Sequence, residues 1–244
     1  MGLLPEQITI NNTRYFLSLS SMTSCSIRNQ GLVFLAVLFI CLFLDYATSD
    51  ALSFVALHFT AVVGPVIQFE DVISILTALS LVAGLLGYFL LPQRIFNRIL
   101  FVATFLSTIS LFLNVAGLLR TLIQPQVNPV ILLAAAAVVY ISNVLVFTIW
   151  FWLLDFESQQ DRCSGKTSKP VLVFPQNATS YPGYEEWTPG FVDYLFLSFH
   201  TSSTVGPTDT LVLDRKAKVA MICQVTVSLI VLVVLAARAI GILR

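Results

Sequence analysis

Of the chain's 244 residues, 57% are hydrophobic and only 11% charged, with a mean hydropathy of +0.88. Soluble domains carry about a quarter charged residues, so this composition belongs to a chain whose main solvent is lipid. Thirteen basic residues balance thirteen acidic ones, and with no basic cluster to track a phosphate backbone a nucleic-acid partner is set aside.

A bilayer core of about 30 Å takes roughly 20 mostly apolar residues of helix, because each backbone N–H and C=O must find its partner within the segment. In chain order this criterion predicts runs at 31–46, 51–69, 71–91, 99–123, 130–154 and 217–243. The expectation is an all-α membrane protein of about six transmembrane helices, with the lipid bilayer as its first partner. Residues 31–44 form a short apolar core followed by Ala47-Thr48-Ser49, so a signal peptide is the alternative to a retained helix. The second run holds His58 and Gly64-Pro65, and an interfacial segment is the alternative to a crossing.

Residues 155–190 are rich in Pro, Ser, Gln and acidic side chains and read as an aqueous loop. Then come Thr188-Pro189-Gly190-Phe191 and an apolar stretch to His200. Thr188 suits an N-cap and Pro189 the first helical position. The helix that follows is too short to cross, and Gly206-Pro207 ends it before the last span. A short helix, a break, a polar strand and a full span make a re-entrant loop, which membranes tolerate only where protein or a watery cavity surrounds it. The chain divides accordingly into an N-terminal segment (1–30), a transmembrane bundle (31–123) and a two-helix unit (130–244) containing the polar loop.

Thr201-Ser202-Ser203-Thr204-Val205-Gly206-Pro207-Thr208-Asp209 resembles the T-x-T-T-V-G-Y-G-D signature of potassium-channel pore loops, with Ser203 a close substitute. The flanks agree in kind: an outer helix (130–154), a pore helix and an inner helix (217–243). In that family four such loops surround one axis, and backbone carbonyls with a threonine hydroxyl replace the ion's water. The resemblance implies a homotetramer in the cell (inner) membrane that passes monovalent cations. Its ion path would run along Thr201, Ser203, Thr204, Val205, Gly206, Pro207, Thr208 and Asp209, with Thr204, Val205 and Gly206 at the inner filter positions and Asp209 at the mouth. Two departures stand where selectivity is made. Pro207 replaces the family's Tyr, losing an N–H and fixing φ, and Thr208 replaces its second Gly, where a β-branched residue is strained. A wider or less selective path follows. Residues 99–244 also resemble a little-characterised group of bacterial integral membrane proteins through Asn143-Val144-Leu145-Val146-Phe147, Trp150, Trp152, Phe191, Asp193-Tyr194-Leu195, Pro207-Thr208-Asp209 and Ala236-Ala237-Arg238-Ala239. That group brings no activity with it, and a non-conducting scaffold or accessory subunit is the alternative function.

Gln224 and Ser228 lie four apart in the last span, on a face extended by Met221 and Val231; they either line a pore or bond to neighbouring helices. Arg238 is placed to snorkel to the head groups. Asn114, Ser142 and Asn143 suit interhelical hydrogen bonds, Asp193 suits the first-turn dipole of its helix, and His58 and His200 suit packing. The four cysteines, Cys25, Cys41, Cys163 and Cys223, lack the spacing of a zinc or redox site. No metal, cofactor or catalytic set is indicated, so no enzyme is expected. With six crossings, channel analogy puts the loop outside the cell. The loop side would then hold eight basic residues, Arg94, Arg98, Arg162, Lys166, Lys169, Arg215, Lys216 and Lys218, against five on the other, which runs against the positive-inside rule.

Overall fold

The computed structural model describes residues 29–48, 60–122, 128–164, 166, 169–179, 182–184, 187–203 and 209–242, with the side chains of 60–70, 122, 129, 163 and 238–242 left aside. Five helices are long and apolar enough to cross a membrane: α1 (Asn29–Thr48), α2 (Thr60–Leu90), α3 (Gln93–Leu122), α4 (Pro129–Cys163) and α7 (Arg215–Ile242). The chain is therefore a multi-pass integral membrane protein. Between α4 and α7 stand β1 (Leu172–Val173), the single turn α5 (Pro175–Ala178), α6 (Phe191–Ser202) and β2 (Leu211–Val212).

The six-span expectation gives way to five among the described residues. Residues 51–59 lie outside them, and 60–90 form one continuous helix of 31 residues that runs through both Gly64-Pro65 and the polar step at Gln68, Glu70 and Asp71. Glu and Gln are good helix formers, and a step this brief offers no turn in which the chain can reverse. At about 1.5 Å per residue, α2 is some 46 Å long and α4 some 52 Å, so both outrun the hydrocarbon. The excess of α4 lies beyond residue 154, where the sequence predicts loop and the helix instead continues to Cys163. Asn128 starts α4: its side chain accepts the Val130 N–H at 2.9 Å, and Pro129 takes the first turn.

Two close approaches set how α1 docks. A Cβ on Gly31 would come within 2.7 Å of the Phe96 ring on α3, and one on Gly84 of α2 within 3.0 Å of Leu35. Glycine at these points lets the helices meet nearly backbone to side chain, the usual device where lipid offers no hydrophobic drive for helix association. Phe34 then reaches the interior fully buried. It stacks on Trp152 of α4 with centroids 4.3 Å apart and meets Phe191 and Tyr194 of α6 edge-on. The first helix and the C-terminal unit thus share one core. Outward, Ile75, Leu79, Leu86 and Phe89 of α2 are exposed, as a lipid-facing stripe requires.

Gln30 Nε2 donates to the Pro189 carbonyl at 3.2 Å, so α1 begins at the same end of the bundle as the polar loop. That end also holds the start of α3, the end of α4 and the start of α7.

Candidate functional site

The sequence places an N-cap at Thr188; the helix starts two residues later. Gly190 is the N-cap, and the Asp193 carboxylate reaches back to accept its N–H at 2.7 Å. Asp193 therefore caps directly as well as meeting the positive end of the helix. With 12 residues, α6 is about 18 Å long, too short for the bilayer core.

Its path is fixed at both ends. Near the start, the buried Tyr194 hydroxyl donates to Asp155 Oδ2 at 3.0 Å. A turn later, the Ser198 hydroxyl donates to the Val144 carbonyl at 2.6 Å. Val144 precedes Asp155 by 11 residues on α4, about 16 Å toward the opposite end of that helix. At the end of α6, Ser202 Oγ accepts from Gln224 Nε2 at 2.6 Å, and Gln224 lies nine residues into α7, about 14 Å from its start. The helix descends from the loop end into the bundle. By Leu211 the chain is back at the loop end, where β2 pairs antiparallel with β1 (Leu172 opposite Val212, Val173 opposite Leu211).

A polar knot holds the foot of α6. Gln224 Nε2 shares its two N–H groups among three acceptors, the Ser198 carbonyl at 2.9 Å, the Ser198 hydroxyl at 2.7 Å and Ser202 Oγ. Asn143 Nδ2 donates to Ser228 Oγ at 2.8 Å. Asn143, Ser198, Ser202, Gln224 and Ser228 are all completely buried. Gln224 and Ser228 thus turn into the single chain and are occupied there; side chains with no exposure do not line a space between copies. The amide oxygens Asn143 Oδ1 and Gln224 Oε1 are buried without a hydrogen-bond partner.

A second cluster holds the head of α6. The fully buried Asp155 carboxylate accepts from Gln159 Nε2 at 2.6 Å, Tyr194 Oη at 3.0 Å and the Leu172 N–H at 3.4 Å, with Arg162 at 3.7 Å. Arg162 Nη2 also donates to the Leu172 carbonyl at 3.3 Å. Helix α4, strand β1 and helix α6 are joined through one side chain. Sequence reasoning assigns Asp155 to an aqueous loop and misses it; the available signal is the spacing of Asp155, Gln159 and Arg162 on one helical face.

Of the proposed ion path, Thr201 is buried and its hydroxyl bonds to the Leu197 carbonyl, the Ser203 hydroxyl donates to the His200 carbonyl, and Asp209 is exposed. Thr204, Val205, Gly206, Pro207 and Thr208 lie outside the described residues, as do His58 and the Arg238 side chain. His200 packs on Phe196 with ring centroids 4.3 Å apart. The chain matches no family model, no curated protein and no solved structure.

Proposed function

We propose that the protein is a channel-like, homotetrameric membrane protein in which residues 201–209 form a re-entrant loop that passes small monovalent cations. The observation that carries this reading is the course of α6: a helix too short to cross descends between α4 and α7, and nine residues after Ser202 the chain has returned to the end it came from. Two further features support it. The C-terminal end of a helix carries a partial negative charge, here aimed toward the interior, which favours a cation over an anion. Val192, Phe196 and Phe199 on α6, with Val219, Ile222 and Leu229 on α7, are large apolar side chains left exposed in the single chain; four copies packed around an axis would cover them. The Pro207 and Thr208 departures make the path less selective than a potassium filter.

In liposomes containing the purified protein, K⁺ and Na⁺ influx is expected at comparable rates, and Thr204→Ala and Asp209→Asn are each expected to change it several-fold. Absence of flux from a correctly inserted tetramer would leave the scaffold reading. That second reading is favoured by one observation: with Gln224 and Ser228 spent inside the chain, the exposed face of α7 from Val219 to Val233 is apolar apart from Thr226, and suits a partner helix as well as a water-filled cavity.

We further infer that the loop end faces the cytoplasm, the reverse of the channel-like expectation. Arg94, Arg98, Arg162, Lys166, Lys169, Arg215, Lys216 and Lys218 all belong to that end, whereas among side chains the structure describes only Arg120 lies at the other. The Lys and Arg bias of short flanking segments orients spans. A Tyr184→Cys protein is expected to gain reaction with a membrane-impermeant maleimide, over the parent chain, in inside-out vesicles only. Equal gain in right-side-out vesicles would reverse the assignment.

A further inference from the structure

A different set of residues, at the far end of the bundle from the polar loop, forms a small enclosed polar site. Asp45 of α1 is a carboxylate within a predicted span. Its Oδ1 accepts from Asn114 Nδ2 of α3 at 2.6 Å and its Oδ2 from the Ser74 hydroxyl of α2 at 3.1 Å, with Ser110 of α3 beside it. Asn114 is eight residues from the end of α3, about 12 Å inside that helix. Asp45 borders a cavity of about 10 Å³ that Thr77, Ser107, Ser110, Asn114 and Ser142 also line, so four helices contribute. That volume is roughly what one water-sized particle occupies.

Two observations point to an occupant. Ser107 is 7% exposed, lines the cavity, and its Oγ has no hydrogen-bond partner, an arrangement that costs free energy unless something else satisfies it. Among the described residues no Lys, Arg or His lines the cavity, so none of them gives the carboxylate a counter-charge there. Asp45 is half-buried and hydrogen-bonded, yet a carboxylate without a counter-charge inside a span is still costly. One negative charge with the Ser107 and Ser110 hydroxyl oxygens bordering the same cavity matches one small, hard, singly charged cation.

We propose that this cavity is an alkali-cation site, taking one desolvated Na⁺-sized ion on Asp45 with the Ser107 and Ser110 hydroxyls as further oxygen ligands. The site is separate from the 201–209 loop and stands whether or not that loop conducts. A cation that binds only the folded state raises its stability by mass action. The experiment is thermal unfolding of the purified protein in detergent, with NaCl, KCl or choline chloride titrated at constant ionic strength. The expected result is a rise in Tm with Na⁺ over choline, lost in Asp45→Asn. In Ser107→Ala, which leaves Asp45 and its bonds to Asn114 and Ser74 in place, the half-maximal Na⁺ concentration is expected to rise several-fold. If Asp45→Asn does not fold, the Ser107→Ala shift decides. Equal Tm in Na⁺, K⁺ and choline for the parent chain overturns the proposal, as does a Na⁺ response identical in parent and Ser107→Ala; a Tm that responds to pH alone assigns the site to a proton and overturns it too.

Discussion

Asp155→Ala is expected to destabilise the protein by about 3 to 5 kcal/mol, the usual cost of removing one member of a buried, hydrogen-bonded charge cluster. The loss is large because one carboxylate serves three elements: Gln159 on its own helix, the Leu172 N–H of β1 and the Tyr194 hydroxyl of α6. Without it, two buried side-chain donors and a backbone N–H lose their acceptor, and the Arg162 guanidinium loses its counter-charge. Asp155→Asn keeps the volume but turns an NH₂ toward a site where all the neighbours donate, so it is expected to fall between Ala and the parent. Tyr194→Phe removes one bond and is expected to cost about 1 kcal/mol. Thermal unfolding in detergent, followed by circular dichroism, should therefore rank the parent above Tyr194→Phe, then Asp155→Asn, then Asp155→Ala. An Asp155→Ala protein that melts with the parent would show that the cluster does not anchor the head of α6.

This anchor also shows where hydropathy stops being informative. Apolar run length located four of the five candidate spans in the described residues to within a few positions at most ends, because hydrocarbon thickness imposes that length directly. It failed where helix and membrane part company. At 68–71 a polar step reads as a break although the backbone has no reason to leave the helix, and α2 results. Beyond 154 the composition turns polar, yet α4 continues past the hydrocarbon and buries Asp155 against β1 and α6. The short α6 was legible as an element because Thr188-Pro189, the apolar body and the Gly206-Pro207 stop are local features, with its start read two residues early, but its depth was not, since that depends on Ser198 meeting Val144 and Ser202 meeting Gln224 across long sequence separations. Asn143 and Asn114 do bond between helices as their placement in apolar runs suggests. Asp45 is missed by the sequence reading although it stands as a lone carboxylate at the end of an apolar run, and its partners on α2 and α3 emerge only from packing. Phe34, the hub between the first helix and the C-terminal unit, has no sequence signature that separates it from the other aromatic residues of its run.

Gln224→Ala is expected to loosen the foot of α6 and cost about 2 to 4 kcal/mol. Polar contacts within membranes average only about 0.6 kcal/mol each, so the two N–H groups of Gln224 Nε2, shared among three acceptors, account for roughly 1 kcal/mol, and the cavity left by a shortened side chain at a fully buried position supplies the rest. Gln224→Met separates the two contributions. It keeps the volume, removes the bonds, and also removes the Oε1 atom that is buried without a partner, so its cost is expected to be smaller, about 1 to 2 kcal/mol. Hydrogen exchange of the backbone at residues 198–203 is the discriminating measurement. In Gln224→Ala and Gln224→Met alike those amides should lose protection while the amides of Tyr194 and Leu195, held from above by Asp155, keep theirs. Uniform loss along the whole of α6 would mean that the helix is held as one unit by its aromatic packing on Phe34 and not at its two polar ends. Protection unchanged in both variants would mean that the knot does not position the helix, and that the depth of α6 is set by shape alone.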